Sequence, residues 1–334
     1  MRAYEIVSGG GIDTLHLAER PTPKPSHGEV LVRMRASSLN YRDLMMVSDP
    51  VARGIPFPRI PNSDGAGEVL AVGPGVSRFK PGDRVASCFF QRWEDGDITA
   101  DGMASALGGA LDGVLAEEVV LSERGLVSIP DHMSFAEGAT LPCAALTAWN
   151  GLVERGGLMA GETVLCIGTG GVSIFALQIA AMNGAKAIVI SSSDAKLERA
   201  KAMGASGTVN YRTTPEWQDA VLELTDGRGV DHVVEVGGAG TLPRSMAATR
   251  VAGHVALIGV LTGGEINPTM IFRNSLRIHG IYVGSLAMFE RMNRAFGAAE
   301  LRPLVDKTFA FEEAPAAFHH LKAAGHFGKV VVEI

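Results

Sequence analysis

The sequence predicts an α/β protein with two domains, a β-barrel-like unit and a doubly wound parallel-sheet unit. Three observations carry that expectation. The chain has 334 residues, enough for two domains. Its first third reads as short strands punctuated by Gly and Pro. From Thr163 onward, short apolar strands alternate with helical runs.

In the first region, Glu29–Arg35 alternates in part through Val30, Val32 and Met34. Gly67–Val72 is closed by the turn Gly73-Pro74-Gly75. Asp83–Ala86 follows Lys80-Pro81-Gly82, and Ala116–Leu121 adds a further strand. Short strands with frequent turn signals indicate an all-β, barrel-like unit. In the second region, strands are expected at Val164–Ile167, Ala187–Ile190, Thr208–Asn210, His232–Glu235 and Val255–Ile258. Helices fall at Lys196–Met203 and Glu216–Leu224, so the punctuation is βαβ and the sheet parallel. Arg277–Val283 is expected to end that sheet, and Lys329–Ile334 returns to β character and rejoins the first unit. The expected division is therefore 1–125 plus about 285–334 against about 126–284, with Leu141–Leu152 as the hinge.

Composition narrows the function. Hydrophobic content is 46% and charge 20%, which are globular values. The formal net charge is −6, with Lys and Arg scattered, so neither a nucleic acid nor an anionic membrane is an expected partner. The start has no apolar run of signal-peptide length, and no later segment is expected to span a bilayer. Cys88, Cys143 and Cys166 are far apart and odd in number, which speaks against a disulfide framework and for a cytoplasmic, reducing address.

The most informative stretch is Thr163-Val-Leu-Cys-Ile-Gly-Thr-Gly-Gly-Val-Ser173, followed by an amphipathic run. A strand ends on Gly168, the chain turns through Thr169 and Gly170, and a helix starts near Gly171. That is the strand–turn–helix that binds a dinucleotide pyrophosphate. Gly168 permits the turn, Gly170 lets the backbone approach the phosphates, and the helix start offers free N–H groups. Gly168, Thr169, Gly170, Gly171 and Val172 are thus the diphosphate-binding candidates. Ser173 replaces the usual last glycine or alanine, from which slightly looser packing is expected. The bland alternative is a Gly-rich turn that only packs a βα unit.

Six ordered blocks, including this turn, resemble the medium-chain dehydrogenase/reductase superfamily, closest to its zinc-free quinone-oxidoreductase-like members. The others are Asn40-Tyr-Arg-Asp43, Pro61-Asn-Ser-Asp-Gly-Ala-Gly-Glu68, Lys80-Pro-Gly-Asp-Arg-Val85, Leu141-Pro-Cys-Ala-Ala-Leu-Thr-Ala-Trp149 and His326-Phe-Gly-Lys329. The resemblance implies a GroES-like catalytic domain and a Rossmann cofactor domain, with chemistry in the cleft between them. Zinc-using members place Cys where this chain has Asn40 and His where it has Ser63, and Cys143 matches a third ligand place. Amide and hydroxyl oxygens are poor zinc ligands, so no metal is expected. The structural cluster of four cysteines is also missing from residues 88–113.

The strand Ala187–Ile190 runs into Ser191-Ser-Ser-Asp194, without the carboxylate that holds a ribose 2′-OH at that place. Asp194 follows but is also wanted as a helix cap. By resemblance, Lys196 and Tyr211 would hold a 2′-phosphate, with Ser192 and Ser193 adding hydroxyls. NADPH is therefore the expected cofactor, with NADH a possible substitute. Thr147 and the Gly259-Val260-Leu261 loop are expected near the nicotinamide, and Phe327, Gly328 and Lys329 to close over it.

Without a metal, hydrogen-bond donors must stabilise charge on the acceptor oxygen. By family position these are the Asn40 amide and the Tyr41 hydroxyl, with Asp43 orienting the loop; the proton comes from Tyr41 or from solvent. The expected reaction is hydride transfer to a quinone or an α,β-unsaturated carbonyl. An alcohol or aldehyde dehydrogenase using NAD(P), or a non-catalytic dinucleotide-binding protein, are the alternatives. Trp93 is read as pinning its loop, and His254, His319 and His320 as ordinary packing or surface residues. A homodimer through the Arg277–Val283 edge completes the expectation.

Overall fold

A computed structural model describes residues 1–259 and 261–334. Contacts divide the chain into two units, Met1–Leu146 with Gly284–Ile334, and Thr147–Val283. The boundary falls inside the expected hinge. Residues 126–146, expected in the second domain, belong to the first. The reason is local: Leu126–Ser128 is a strand that pairs with Arg84–Ser87, and the Cys143 amide is tied to Asp64.

The strands are β1 (Arg2–Ile6), β2 (Leu15–Glu19), β3 (Glu29–Leu39), β4 (Asp64–Val72), β5 (Arg84–Ser87), β6 (Glu118–Ser122), β7 (Leu126–Ser128), β8 (Thr163–Ile167), β9 (Lys186–Ser191), β10 (Gly207–Asn210), β11 (Val230–Glu235), β12 (Thr249–Leu257), β13 (Arg277–Gly280), β14 (Val305–Ala310) and β15 (Lys329–Glu333).

In the first unit, β1 and β2 form an antiparallel pair, and a seven-stranded sheet runs β14-β15-β3-β4-β5-β7, with β6 also on β3. The long β3 organises it. Its first half pairs with β6 through Glu29–Arg33, its second half with β15 through Ala36–Leu39, and β4 lies along its other edge. One strand serving two partners on one side makes the sheet curl, as a barrel requires. The core it encloses holds Val30, Val32, Met34, Leu39, Val85, Leu115, Phe318, Val330 and Val332, each at most 2% exposed. Alternation along β3 is strict only from Val32 to Ala36, because both faces of its last residues are covered. The expected return of 329–334 to the first unit is thus observed as β15.

The second unit is a six-stranded parallel sheet in the order β10-β9-β8-β11-β12-β13. This is the doubly wound order, whose switch point lies between β8 and β11. The central strands β8 and β9, buried from their second residue onward, read as near-continuous apolar runs, whereas β11 is buried throughout yet carries Asp231, His232 and Glu235. The expected last strand is shorter than its apolar run: β13 ends at Gly280, and Val283 has a positive φ of 57°. The other five expected strands of this sheet are present within two residues at either end, except that β12 begins earlier, at Thr249.

Candidate active site

In the second unit, β8 ends at Ile167 and Gly168 takes φ +75°, a left-handed conformation that favours glycine. Its N–H is held by Ile190 O at 2.8 Å, which ties the turn to β9. Gly170 caps the helix Gly171–Met182, and an added Cβ at Gly168 or Gly170 would meet no atom of the described residues within 4 Å. The space over the turn is open, and the N–H groups of the first helical turn have no intrahelical acceptor. These features fit a dinucleotide pyrophosphate. Ser173 does not loosen the unit: it is 2% exposed, and its Oγ donates to Ile167 O at 2.6 Å. The hydroxyl bridges strand and helix where a glycine would only allow contact.

Across the switch point, Glu235 at the end of β11 organises the second loop. Its carboxylate accepts from Gly237 N at 2.7 Å, Gly238 N at 3.0 Å and Thr241 Oγ1 at 2.6 Å, and from Ser245 Oγ. Gly259 must be glycine there, since a Cβ would lie 1.8 Å from Val236 O. Leu261 is half exposed and Thr147 buried. Val260 lies outside the described residues. Sequence reasoning missed Glu235; an acid closing a strand just before Gly237-Gly238 was the available signal.

At the end of β9, Ser193 rather than Asp194 caps the next helix, accepting from Lys196 N at 3.4 Å. Asp194 lies in the first turn, and its Oδ1 accepts from Asn210 Nδ2 at 2.7 Å. Ser192 and Lys196 are partly buried, and Tyr211 is exposed; its N–H reaches Ser191 O at 3.1 Å. Ser192, Ser193, Lys196 and Tyr211 thus belong to one strand-end neighbourhood.

The first unit carries a separate polar cluster. Asn40 precedes the helix Tyr41–Ser48, and Asp43 Oδ2 accepts from the Asn40 N–H at 2.9 Å, one half of a capping box. Arg42 Nη1 donates to Leu107 O at 2.6 Å and lies 3.3 Å from Asp43 Oδ1, and its guanidinium stacks 4.8 Å from the Phe89 ring centre. Tyr41 points out and is half exposed. Lys329, 3% exposed, donates from Nζ to Leu39 O at 2.7 Å and Asn40 Oδ1 at 2.5 Å. Asn40 is 8% exposed; among the described residues its Nδ2 makes no hydrogen bond of normal geometry, although the side chain lies near enough to Asp64 to lower that carboxyl.

Beside these, Asp64 is fully buried at the start of β4. It accepts from Ser63 Oγ at 2.7 Å and from Cys143 N at 3.0 Å. Cys143 sits in the first turn of a π-helical segment, Leu141–Ala145, where the amide has no intrahelical acceptor. Burial pushes the Asp64 carboxyl up to about 6, against the lowering pull of Lys329. Burial, followed by the neighbouring Asp64, drives the Cys143 thiol upward.

This set does not fit a catalytic zinc. Asp64 is engaged by Ser63 and Cys143, Asn40 and Ser63 offer only weak amide and hydroxyl oxygens, and Lys329 already brings a cation. No group of three or more His, Cys, Asp or Glu among the described residues has metal-holding geometry.

The segment expected to close over the nicotinamide leads into β15. Phe327 is fully buried, Gly328 has φ +89°, and Lys329 turns inward onto Leu39 and Asn40. Antiparallel pairing of Val330 with Leu39 brings Lys329 alongside Asn40, a register that spacing alone does not reveal. Trp93 pins its loop, as expected: it is 7% exposed, donates from Nε1 to Gly96 O at 3.1 Å and packs edge-on to Phe90.

Residues 26–131 match the alcohol dehydrogenase GroES-like domain family, and 171–298 the zinc-binding dehydrogenase family. The zinc-type alcohol dehydrogenase-like protein C1773.06c of Schizosaccharomyces pombe is 43% identical over 97% of this chain and 96% of its own length. The chloroplastic quinone-oxidoreductase QR1 of Triphysaria versicolor is 29% identical over 100% and 98%. Among solved structures, a putative alcohol dehydrogenase from Sinorhizobium meliloti 1021 superposes with a TM-score of 0.92 at 42% identity, covering 100% of this chain and 99% of that one. Mycobacterial Rv1454c, solved in complex with NADPH, gives 0.83 at 26% identity with full coverage of both. No helix among the described residues is long and apolar enough to cross a membrane. With a GroES-like unit, a nicotinamide-dinucleotide unit and relatives along its whole length, the chain belongs to the medium-chain dehydrogenase/reductase superfamily of NAD(P)H-dependent oxidoreductases.

Proposed function

We propose that this oxidoreductase uses NADPH to reduce a quinone or an α,β-unsaturated carbonyl, without a metal, and that it works as a homodimer. The observation that carries the reading is the buried Asn40 Nδ2, a donor without a well-formed hydrogen bond among the described residues, its nearby protein acceptor being the Asp64 carboxyl, in a donor set unsuited to zinc. Such a group suits a neutral oxygen that becomes negative during reaction.

The cofactor, when bound, supplies a hydride. As that hydride adds to the β-carbon of the acceptor, an electron pair moves onto the carbonyl oxygen. Asn40 Nδ2 donates to that oxygen and stabilises the charge. The α-carbon then takes a proton, from the Tyr41 hydroxyl or from solvent, and the carbonyl re-forms. Asp43 holds Asn40 by its main-chain N–H, and the Gly168–Val172 turn holds the cofactor diphosphate. The NADPH preference is supported by the missing acid at the end of β9, by Asp194 being engaged with Asn210, and by the Rv1454c complex.

The test is steady-state NADPH consumption with a panel of quinones, enones and aldehydes, alongside metal analysis and chelator treatment. Turnover of quinones or enones, unchanged by a chelator, is the expected result. Turnover of simple alcohols that needs stoichiometric metal would establish the dehydrogenase reading instead. Tight NADPH binding with no turnover of any acceptor would establish the non-catalytic one.

A further inference from the structure

We infer that Lys329 is a positioning residue: it fixes the orientation of the Asn40 amide, so that Nδ2 and not Oδ1 is presented to the acceptor oxygen. The inference rests on the reductase reading for its chemistry, but its geometry stands alone.

An asparagine side chain is nearly symmetrical in shape and opposite in chemistry at its two ends. A half-turn about the Cβ–Cγ bond would exchange donor and acceptor. An Asn40 presenting Oδ1 would repel the oxygen it should stabilise. Something must therefore distinguish the two orientations. The neighbouring main-chain bond from Asn40 N to Asp43 fixes the backbone and says nothing about the amide. Lys329 supplies the distinction at Oδ1, and the Asp64 carboxyl, which the Asn40 side chain lowers, favours Nδ2 on its own side. An ammonium has three N–H donors and no acceptor, so it can face only Oδ1. Its Nζ lies 2.5 Å from that atom and 2.7 Å from Leu39 O, and the side chain is 3% exposed. A flip would set an N–H against an ammonium in a water-poor site and lose a charge-assisted hydrogen bond.

The lysine is itself located by the sheet. Pairing of Val330 with Leu39, and of Val331 with Ser38, places residue 329 beside residue 40. Its charge is felt by the buried Asp64 carboxyl, which it lowers. The sequence block His326-Phe-Gly-Lys329 therefore acts on the acceptor side of the reaction, through Asn40, rather than on the cofactor.

Two double-mutant cycles test this. In turnover, Asn40→Ala is expected to lower kcat about 100-fold and Lys329→Met about 10-fold, each with the NADPH Kd unchanged. The double variant should be no slower than Asn40→Ala alone, because Lys329 acts only through that amide. Multiplied losses, or a weakened NADPH Kd in Lys329→Met, would overturn the inference. Asn40→Asp keeps an acceptor for Lys329 but replaces the Nδ2 donor with a carboxylate oxygen near Asp64, so it must also lose kcat; an active Asn40→Asp enzyme overturns the inference even if Lys329→Met does not fold. The second cycle reads thermal stability and needs no substrate. Asn40→Asp should lower Tm by clearly more in the Lys329→Met background than in the wild type, since the new carboxylate then lacks its cation. Additive Tm changes would show that the two side chains are not coupled. A wild-type protein with no turnover but coupled Tm changes would refute the reductase reading and keep the contact.

Discussion

His232 and His254 face each other across neighbouring strands with their Nδ1 atoms 3.2 Å apart, so one of the two must carry the proton and the other accept it. The row continues in both directions. His232 Nε2 reaches Glu162 Oε2 at 2.9 Å, and His254 Nε2 reaches His279 Nδ1 at 3.1 Å. The arrangement is satisfied by neutral rings: His232 protonated on Nε2, and His254 and His279 on Nδ1. It makes folding sensitive to acid. Burial, then the neighbouring His232 and His279 and Arg277, depresses the His254 imidazole from 6.5 to about 3. Between those values the unfolded chain binds the proton and the folded chain does not. Stability therefore rises with pH across that window and is lost as pH falls through it, by an amount on the order of a few kcal/mol. Urea midpoints measured between pH 4.5 and 7 should fall steeply on the acid side, and His254→Asn should flatten the slope. Equal slopes in the two proteins would show that His254 does not titrate across unfolding.

Gly170 separates folding from cofactor binding. Its φ of −76° is open to any L-residue, and a Cβ there meets no atom of the described residues within 4 Å. Gly170→Leu should leave Tm within a few degrees of wild type while weakening NADPH at least about tenfold, since its side chain occupies the phosphate's approach. Gly168→Ala behaves differently. At φ +75° it costs about 1 kcal/mol of stability through the backbone alone, visible in chemical denaturation without any nucleotide.

The choice between nicotinamides is tested by binding. NADPH should bind more tightly than NADH, and Lys196→Ala should weaken NADPH by roughly tenfold while sparing NADH, as expected when an ammonium leaves a phosphate. Isothermal titration of both nucleotides to both proteins decides it. Equal losses for the two would remove the lysine from the 2′-phosphate.

β13 is the last strand of its sheet, and it is flanked by exposed Phe272 (83%) and Tyr282 (45%). Self-pairing of that edge would cover unpaired backbone groups. Sedimentation equilibrium at micromolar concentration should give twice 35.1 kDa, and Phe272→Asp should shift the equilibrium toward the single chain. A single-chain mass for the wild type would end the dimer proposal.

Much of this architecture was legible because its signals are local. Gly168-Thr-Gly170 announces its turn from three adjacent residues, and the βαβ punctuation after Thr163 follows from alternating apolar runs. What stayed hidden depends on register between distant segments. Lys329 and Asn40 are 289 positions apart and meet only because β15 lies against β3 with Val330 opposite Leu39. Cys143 and Asp64 are likewise joined across 79 positions by a main-chain N–H that sequence cannot display. Ser173 was visible but misjudged: size alone suggested looseness, whereas its hydroxyl found the Ile167 carbonyl. The His232–His254–His279 row escaped for a related reason, since strand order, not spacing, makes the three rings neighbours.

The first unit takes its residues from before Thr147 and after Val283, with β15 seated directly on the long β3. During synthesis the second unit has all of its strands once Gly280 has left the ribosome tunnel, and its nucleotide turn is then complete. The first unit must wait for some fifty residues more, holding the Ala36–Leu39 half of one edge of β3 bare in the meantime. A chain stopped short of Lys329 would keep the Asp43 hold on the Asn40 main chain and lose the ammonium from its side-chain oxygen.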